Sequence, residues 1–364
     1  MVDLHMKRRI ELGLLYSRTG SYSLISEASR AGALAAIDQI NADPGLPVCF
    51  VPIERDPCGN ADAYAPLCEE ILRDSAARHV VGCVTSWSRK EVIPSLEKLG
   101  GTLWYALPYE GFEASDHVVY THACPNQHLL PLLGWAMRAH GRRAYLTGSN
   151  YIWGWEINRL ARVTIIAAGG EILGERYLTL DALEVGRMVD EIRATRPDFV
   201  LNSLVGASSY EFLRAYHALG LTDPHFRADR CPVLSCNLTE CEFPPLGWAA
   251  EGLIAVGPYF RGVAGWPRPG NFGSAHETAS FAAVHELARL LSRKPGAEAM
   301  SLAQLLEGMD GPIDKGTHHM ALPVVIAQVR DGVFRVIQHR GEVAGDPYLT
   351  RSPTSAAQHL RVVS

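Results

Sequence analysis

The chain has 364 residues, of which 47% are hydrophobic and 20% are charged, and its 34 basic and 39 acidic residues give a formal net charge of −5. This apolar content excludes a disordered or low-complexity chain, and the length suggests about two domains. The mildly acidic balance argues against direct binding of nucleic acid, which requires a basic surface.

The N-terminal segment carries a basic cluster followed by the short apolar run Ile10–Leu15, which Glu11 interrupts. A secretory signal needs a longer apolar stretch, so we interpret this run as a buried strand and expect a cytoplasmic protein. The protein would be periplasmic if a signal had been removed ahead of Met1. No stretch approaches the roughly 18 apolar residues that span a bilayer, so no membrane insertion is expected.

Eight cysteines are scattered along the chain, and none forms a C-x-x-C pair. Their spacing is unlike that of common zinc ligands, so no metal site is predicted. We interpret them as small buried hydrophobic residues in a reducing compartment. In an exported protein, Cys49 could pair with Cys58 or Cys68.

Strand-like and helix-like segments alternate over the first third of the chain. The predicted strands are Ile10–Leu15, Val48–Ile53, His79–Cys83 and Thr102–Tyr105, and the predicted helices are Ser26–Asn41, Asn60–Ser75 and Ser88–Leu99. Ser26 is expected to cap the first helix, and Pro66 to kink the second helix or delay its start. The alternation predicts a parallel sheet with helices on both faces.

The same alternation restarts after Thr121. The predicted helices are Asn126–His140, Trp153–Ala168, Ala182–Thr195, Ser208–Gly220, Glu277–Ser292 and Leu302–Gly308, and the predicted strands are Arg143–Gly148, Glu171–Tyr177, Asp198–Asn202, Leu253–Val256, Ala321–Val329 and Val333–His339. The last two strands are joined by a hairpin turn at 330–332. The sequence therefore predicts an α/β fold with two doubly wound parallel-sheet lobes. Their strand ends could face each other across a cleft that closes on a ligand.

Motifs for catalysis or cofactor binding are absent. The sequence contains no G-x-G-x-x-G after the first strand, no phosphate-binding P-loop, no H-E-x-x-H and no G-x-S-x-G. His318 and His319 are adjacent, and neighbours on a strand point to opposite faces, so a shared metal is not expected. Cys83 ends a strand without a histidine near it in sequence, which favours a buried thiol over a nucleophile. We predict no enzyme activity, no catalytic residue and no cofactor.

The segments that follow the predicted strands are neutral and polar. Thr85, Ser86 and Ser88 stand where a strand passes into a helix. The backbone amides there could bind an electron-rich oxygen, or Ser86 or Ser88 could simply cap the helix. Such loops suit a small neutral polar ligand. An amino acid would need a carboxylate for its ammonium group. Glu110 and Glu113 could serve, or they could have a surface or hinge role.

Four segments carry a family resemblance. They are Val81–Lys90, Trp104–Glu113, Cys124–Gln127 and Gly148–Trp153. Together they resemble the amide- and urea-type branch of the type 1 periplasmic-binding-protein-like receptors, and the match covers nearly the whole chain. The Y-x-x-P-Y-E-G and P-N-Q signatures are its most specific parts. The chain is most similar to the aliphatic amide receptors of amidase operons, with the urea-binding components of ABC transporters close behind.

The resemblance implies two α/β lobes joined by three crossovers. The first lobe is expected at residues 8–122 and 256–325, and the second at 123–255 and 326–364. The ligand site implied by the resemblance comprises Thr85, Ser86, Tyr105, Leu107, Pro108, Tyr151, Val205, Gly206 and Asn237. Val84 and Leu107 stand where amide receptors typically carry Tyr and Thr. Both changes remove a hydroxyl group, so the preferred ligand could be larger or more apolar.

The function implied by the resemblance is that of a cytoplasmic sensor. It would close on a short aliphatic amide and regulate amidase or nitrile-degradation genes through an antiterminator-type protein partner. The alternative is the substrate-binding protein of an ABC transporter for urea, short-chain amides or branched-chain amino acids. Both interpretations predict a small neutral amide or urea ligand, or a related molecule, and leave a homo-oligomer open.

Overall fold

The computed structural model describes residues 7–113, 115–263, 266–267, 271–293, 295–308 and 310–350. These residues form two compact units. The first unit comprises the described residues within 7–107, 113–122 and 267–321, and the second comprises those within 108–112, 123–266 and 322–350. The chain therefore passes several times from one unit to the other.

The unit boundaries differ from the expected lobes at three places. Segments 108–112, 256–266 and 322–325, which the sequence assigned to the first lobe, lie in the second unit. The first of these segments bonds to the second unit through its backbone. The Tyr109 N–H donates to the Ala123 carbonyl at 3.0 Å.

Helices and strands alternate along the chain as predicted. The strands are β1 (Arg8–Leu15), β2 (Val48–Arg55), β3 (His79–Gly82), β4 (Thr102–Tyr105), β5 (Val118–Tyr120), β6 (Arg143–Ser149), β7 (Glu171–Leu178), β8 (Phe199–Ser203), β9 (Val233–Ser235), β10 (Ile254–Gly257), β11 (Leu322–Arg330) and β12 (Val333–Val343). The helices are α1 (Ser23–Ala42), α2 (Tyr64–Asp74), α3 (Ser86–Leu99), α4 (Leu129–Ala139), α5 (Ile152–Ala167), α6 (Gly186–Thr195), α7 (Gly206–Thr222), α8 (Ala275–Leu291) and α9 (Leu302–Leu306). Within the described part of the chain, none of these helices is long and apolar enough to cross a membrane.

Each unit is built on one sheet with a doubly wound strand order. The first sheet has five parallel strands in the order β2-β1-β3-β4-β5. The second repeats this pattern as β7-β6-β8-β9-β10 and continues into the antiparallel strands β11 and β12. In this arrangement the winding direction reverses between β1 and β3 and again between β6 and β8. Ligands of open parallel sheets bind at the carboxyl ends of the strands near such switch points.

The first unit is completed by close packing of α8 on α1, and a glycine permits the approach. A Cβ atom at Gly32 of α1 would lie 2.0 Å from the backbone oxygen of Glu277 in α8. No larger side chain fits in that space. This contact fastens a late segment of the chain to the first unit.

The start of α1 differs from the sequence expectation, whereas the start of α2 agrees with it. Ser26, the predicted cap, lies within α1 and is fully buried, and Tyr22 precedes the helix instead. Pro66 falls in the first turn of α2, after a short 3₁₀ turn at Ala61–Ala63, so it delays the helix as predicted. The short strands β5 and β9 were not predicted.

Candidate functional site

In the first unit, the candidate residues near α3 form its N-terminal cap. The Thr85 Oγ1 accepts the Ser88 N–H at 3.0 Å, and the Ser88 Oγ accepts the Thr85 N–H at 3.1 Å. This reciprocal capping box settles which residue caps the helix, since Thr85 does so and neither Ser86 nor Ser88 takes that position. Ser86 is the first helical residue and is buried.

Tyr105 and Leu107 lie at and just beyond the carboxyl end of β4. Both are buried, and the Tyr105 carbonyl accepts the Thr121 N–H at 2.9 Å. The guanidinium carbon of Arg89 lies 4.8 Å from the centroid of the Tyr105 ring, within the range of a cation–π contact. Pro108, the next candidate residue, belongs to the second unit.

A buried ion pair lies beside Tyr105. The Arg89 Nε is 2.8 Å from the Glu113 Oε1, and the two side chains are 0% and 9% exposed. The Glu113 carboxylate also accepts hydrogen bonds from Lys90 at 2.8 Å and from the Tyr120 hydroxyl at 2.7 Å. Burial raises the pKa of Glu113, but these donors outweigh it and lower the pKa to about 2. Glu113 is therefore ionised and paired within the protein, which argues against it as the candidate partner for a ligand ammonium group.

In the second unit, three candidate residues lie together at the switch point between β6 and β8. Tyr151 immediately precedes α5, and Val205 immediately precedes α7. The Val205 N–H donates to the Ser149 Oγ at 3.1 Å, which joins the loops that follow the two strands. Gly206 begins α7 at φ +59°, a left-handed conformation that favours glycine.

The segment after β9 carries Asn237 and two buried acidic residues. Asn237 is 8% exposed, and its Oδ1 accepts the Ser235 hydroxyl at 3.1 Å. Glu240 and Glu242 follow on a short 3₁₀ turn. Glu242 is bound within the protein, because its Oε1 accepts the Tyr210 hydroxyl at 3.0 Å and its Oε2 accepts the Thr239 N–H at 3.4 Å.

Glu240 differs from Glu242 in its hydrogen bonding. Its Oε1 accepts the Arg261 backbone N–H at 2.6 Å, whereas its Oε2 is buried and has no hydrogen-bond partner in the described part of the chain. Burial raises the pKa of both carboxyl groups to about 7. Neither residue was predicted from the sequence, because β9 is too short to show a periodic pattern. The available signal was the pair of acidic residues in T-E-C-E, four residues after the short strand.

Two residues considered for chemistry are buried and electrostatically neutral. His319 stacks on Tyr120 with ring centroids 4.2 Å apart, and burial lowers its pKa to about 3. Cys83 follows β3 at φ +62°, and burial raises the pKa of its thiol, so it lacks the thiolate character of a nucleophile. None of the eight cysteines, all of which lie in the described residues, forms a disulfide.

A cavity of about 820 Å³ opens at the other edge of the second sheet. Its lining includes Val233 and Ile254, the first residues of β9 and β10, and Arg330, the last residue of the antiparallel β11. These positions mark the amino ends of the parallel strands. None of the candidate residues lines this cavity, so it is separate from the carboxyl-edge loops.

Comparison with known proteins defines the family. Residues 10–280 match the model of the periplasmic binding protein domain. Because the match spans more than half of the chain, this protein belongs to the periplasmic binding protein family. The broader family inferred from the sequence motifs is therefore confirmed, while its amide- and urea-type branch stays a prediction.

Solved structures agree with this fold at low sequence identity. A solute-binding protein of an ABC transporter from Rhodopseudomonas palustris, in complex with benzoate, has a TM-score of 0.80 and 15% identity, covering 93% of this chain and 98% of that one. The branched-chain amino acid substrate-binding protein of Streptococcus pneumoniae, in complex with isoleucine, has a TM-score of 0.76 and 14% identity, covering 92% and 99%. The predicted class of two α/β lobes of the type 1 fold is confirmed.

Proposed function

We propose that this protein is a non-catalytic solute-binding protein whose small ligand carries a nitrogen hydrogen-bond donor. Membership of the periplasmic binding protein family supports a ligand-binding role. The named structural neighbours are ABC-transporter components that bind benzoate and isoleucine, which favours the transport alternative over gene regulation. A periplasmic location goes with the transport role.

The proposed ligand contacts come from the carboxyl-edge loops of both sheets. They are Thr85, Ser86, Tyr105 and Leu107 in the first unit, and Pro108, Tyr151, Val205, Gly206 and Asn237 in the second. These residues offer hydroxyl, amide and aromatic groups without a formal charge. We add Glu240 to this set, since it follows β9 at the same edge of the second sheet.

The observation that carries the ligand chemistry is the buried Glu240 Oε2, which has no hydrogen-bond partner among the described residues. A buried carboxylate without a partner is costly, whereas an ammonium or amide N–H donor from a ligand would satisfy it. Such a donor would also favour the ionised form of Glu240. An aromatic carboxylate such as benzoate lacks this donor and would meet a like charge.

The cytoplasmic amide sensor is the second candidate. The uncharged candidate residues favour it, because Thr85, Ser86 and Tyr105 suit a neutral amide as well as a carboxylate. In this role the protein would act through a regulatory protein partner. Locating the native protein in periplasmic or cytoplasmic fractions separates the two roles, because the transport role requires the periplasm.

A ligand screen tests the proposed function. Thermal unfolding is measured with L-leucine, butyramide, acetamide, urea and benzoate. A ligand present at about 100 times its Kd stabilises the folded state by about 2.7 kcal/mol. We expect a shift with L-leucine or an amide and none with benzoate. Stabilisation by benzoate alone would contradict the proposed ligand chemistry, and release of ammonia from the amides would contradict the non-catalytic role.

A further inference from the structure

Tyr105 is held by buried side chains that are not among the proposed ligand contacts. We call Arg89, Glu113, Tyr120 and His319 the Arg89 cluster. Arg89 stacks on the Tyr105 ring and pairs with Glu113, and Tyr120 donates to Glu113 and stacks on His319. The rings of Tyr105 and Tyr120 also meet edge to face, with centroids 6.4 Å apart. Two members of the cluster, Arg89 and Tyr120, therefore contact the Tyr105 ring.

The Arg89 cluster also marks the places where the chain leaves or enters the first unit. Glu113 is the first residue after the excursion through 108–112, and Tyr120 lies two residues before the exit after His122. His319 lies two residues before the exit after Ala321. Three cluster members therefore lie at, or within two residues of, a point where the chain crosses between the units. We call the first-unit stretches that end at these points the crossing segments.

Backbone hydrogen bonds tie these ends together within the first unit. The Tyr120 N–H donates to the His318 carbonyl, and the Met320 N–H donates to the Tyr120 carbonyl, both at 2.9 Å. The neighbouring Thr121 N–H donates to the Tyr105 carbonyl. Side chains and backbone thus join Tyr105 to two crossing segments.

Fold stability alone is a weak reason for this arrangement. A buried ion pair gains little or nothing over well-packed apolar residues of similar volume, because removing both charges from water is costly. What the pair supplies is geometry, since the planar guanidinium makes directional hydrogen bonds and stacks flat on an aromatic ring. This geometry fixes the orientation of Tyr105, which is one of the proposed ligand contacts.

We infer that Arg89 and Glu113 are positioning residues for ligand binding, which hold the Tyr105 ring and anchor the crossing segments at Tyr120 and His319. The inference rests on the proposed function, because Tyr105 is a proposed ligand contact. Neither residue touches the ligand in this account. Their effect on affinity passes through the ring they stack on and the backbone they fix.

The test removes both charges together, so that no lone charge is left buried. The double variant Arg89→Met with Glu113→Gln is compared with the control Arg8→Met with Glu298→Gln. The control breaks a 2.6 Å ion pair of the same unit, in which Arg8 is the first residue of β1. Binding of L-leucine and of butyramide is measured by calorimetry. Amide hydrogen exchange is measured at Tyr120, Thr121 and Met320.

We expect the Arg89 and Glu113 double variant to bind the probes about tenfold or more weakly and to exchange these amides about tenfold or more rapidly. The control should change neither quantity. Tyr120→Phe removes only one donor to Glu113, so it should weaken binding and speed exchange to a smaller extent. This variant replaces the double variant in the test if the double variant fails to fold.

Wild-type affinity together with wild-type exchange in these variants would overturn the positioning role. If the wild-type protein binds neither probe, the proposed ligand class fails and the positioning role in binding fails with it, and the exchange rates then judge only the anchoring of the backbone at Tyr120 and His319. Faster exchange at the three amides would then support it, and unchanged exchange would overturn it.

Discussion

Two carboxyl groups near the carboxyl edges of the two sheets have pKa values that are shifted in opposite directions. In the first unit, Glu113 is surrounded by Arg89, Lys90 and Tyr120, and its pKa is about 2. In the second unit, Glu240 receives one backbone N–H on one oxygen, its other oxygen is unpartnered among the described residues, and its pKa is about 7. Glu240 is buried and the Glu113 side chain is only 9% exposed, so burial alone does not set their charge.

The difference lies in which partners the protein itself provides. The first unit satisfies its carboxylate internally and uses it to fix neighbouring groups. The second unit leaves one carboxylate oxygen of Glu240 unsatisfied, at a cost that a donor on a ligand would remove. A buried acidic residue is therefore a candidate ligand contact only where its own protein leaves a carboxylate oxygen without a hydrogen-bond partner.

The largest expected effect comes from breaking the internal pair of the first unit. Arg89→Met leaves the Glu113 carboxylate with only Lys90 and Tyr120 as donors, so the free energy of unfolding should fall by up to about 3–5 kcal/mol, the cost of breaking a buried pair. Chemical denaturation measures this loss. Adding Glu113→Gln to Arg89→Met should recover most of it. A single variant as stable as the wild type would show that the pair is not electrostatically important.

The next effect is a decline of stability with rising pH in the unliganded protein. Folding raises the pKa of Glu240 and Glu242 from the ordinary 4.5 to about 7, so the folded state binds more protons between these values. Their contribution to the free energy of unfolding is complete below about pH 4.5 and is lost as the pH rises through about 7. The loss is up to about 3 kcal/mol for each group.

Glu113 gives the opposite dependence at lower pH. Because its folded pKa is lowered to about 2, its contribution is present above the ordinary value of 4.5 and is lost as the pH falls towards 2.

The pH dependence that Glu240 and Glu242 produce is tested by unfolding measured from pH 4.5 to 8. It should show the decline in the wild type and a flatter profile in Glu240→Gln with Glu242→Gln. A profile that is unchanged in the double variant would contradict the assignment.

A smaller effect is expected from the helix caps. Thr85→Ala removes the cap of α3 and should lower the free energy of unfolding by about 1 kcal/mol. Ser301→Ala is a matched control, since Ser301 caps α9 in the same way with Gln304. Both variants should lose similar stability in thermal unfolding, but only Thr85→Ala should weaken ligand binding. Equal affinity in the two variants would remove Thr85 from the site.

Much of the fold could be predicted because its strands are continuous apolar runs separated by helical patterns. The predicted Thr102–Tyr105 strand coincides with β4, and the turn at 330–332 joins β11 and β12 as expected. The strands β5 and β9 were missed because each has only three residues. Three residues show no periodicity that separates a strand from a loop.

The candidate site was less accessible to sequence reasoning than the fold. The position of Tyr105 at a strand end follows from local pattern, but its contact with Arg89 and the pairing of Arg89 with Glu113 join residues that are distant in sequence. Spacing does not reveal which acidic residue meets a basic one. For that reason the spacing offered Glu110 and Glu113 as candidates for an ammonium contact, and Glu240 was not among them.

The central claim is that the unsatisfied Glu240 carboxylate binds the ligand. Its most direct test is calorimetric titration of L-leucine and butyramide into the wild type, Glu240→Gln and Glu242→Gln at pH 8, where the carboxylates are ionised. We predict that Glu240→Gln weakens binding by about 30-fold or more. Glu242→Gln should bind nearly as well as the wild type, because Tyr210 and Thr239 occupy that carboxylate. Equal affinity of the wild type and Glu240→Gln would contradict the account.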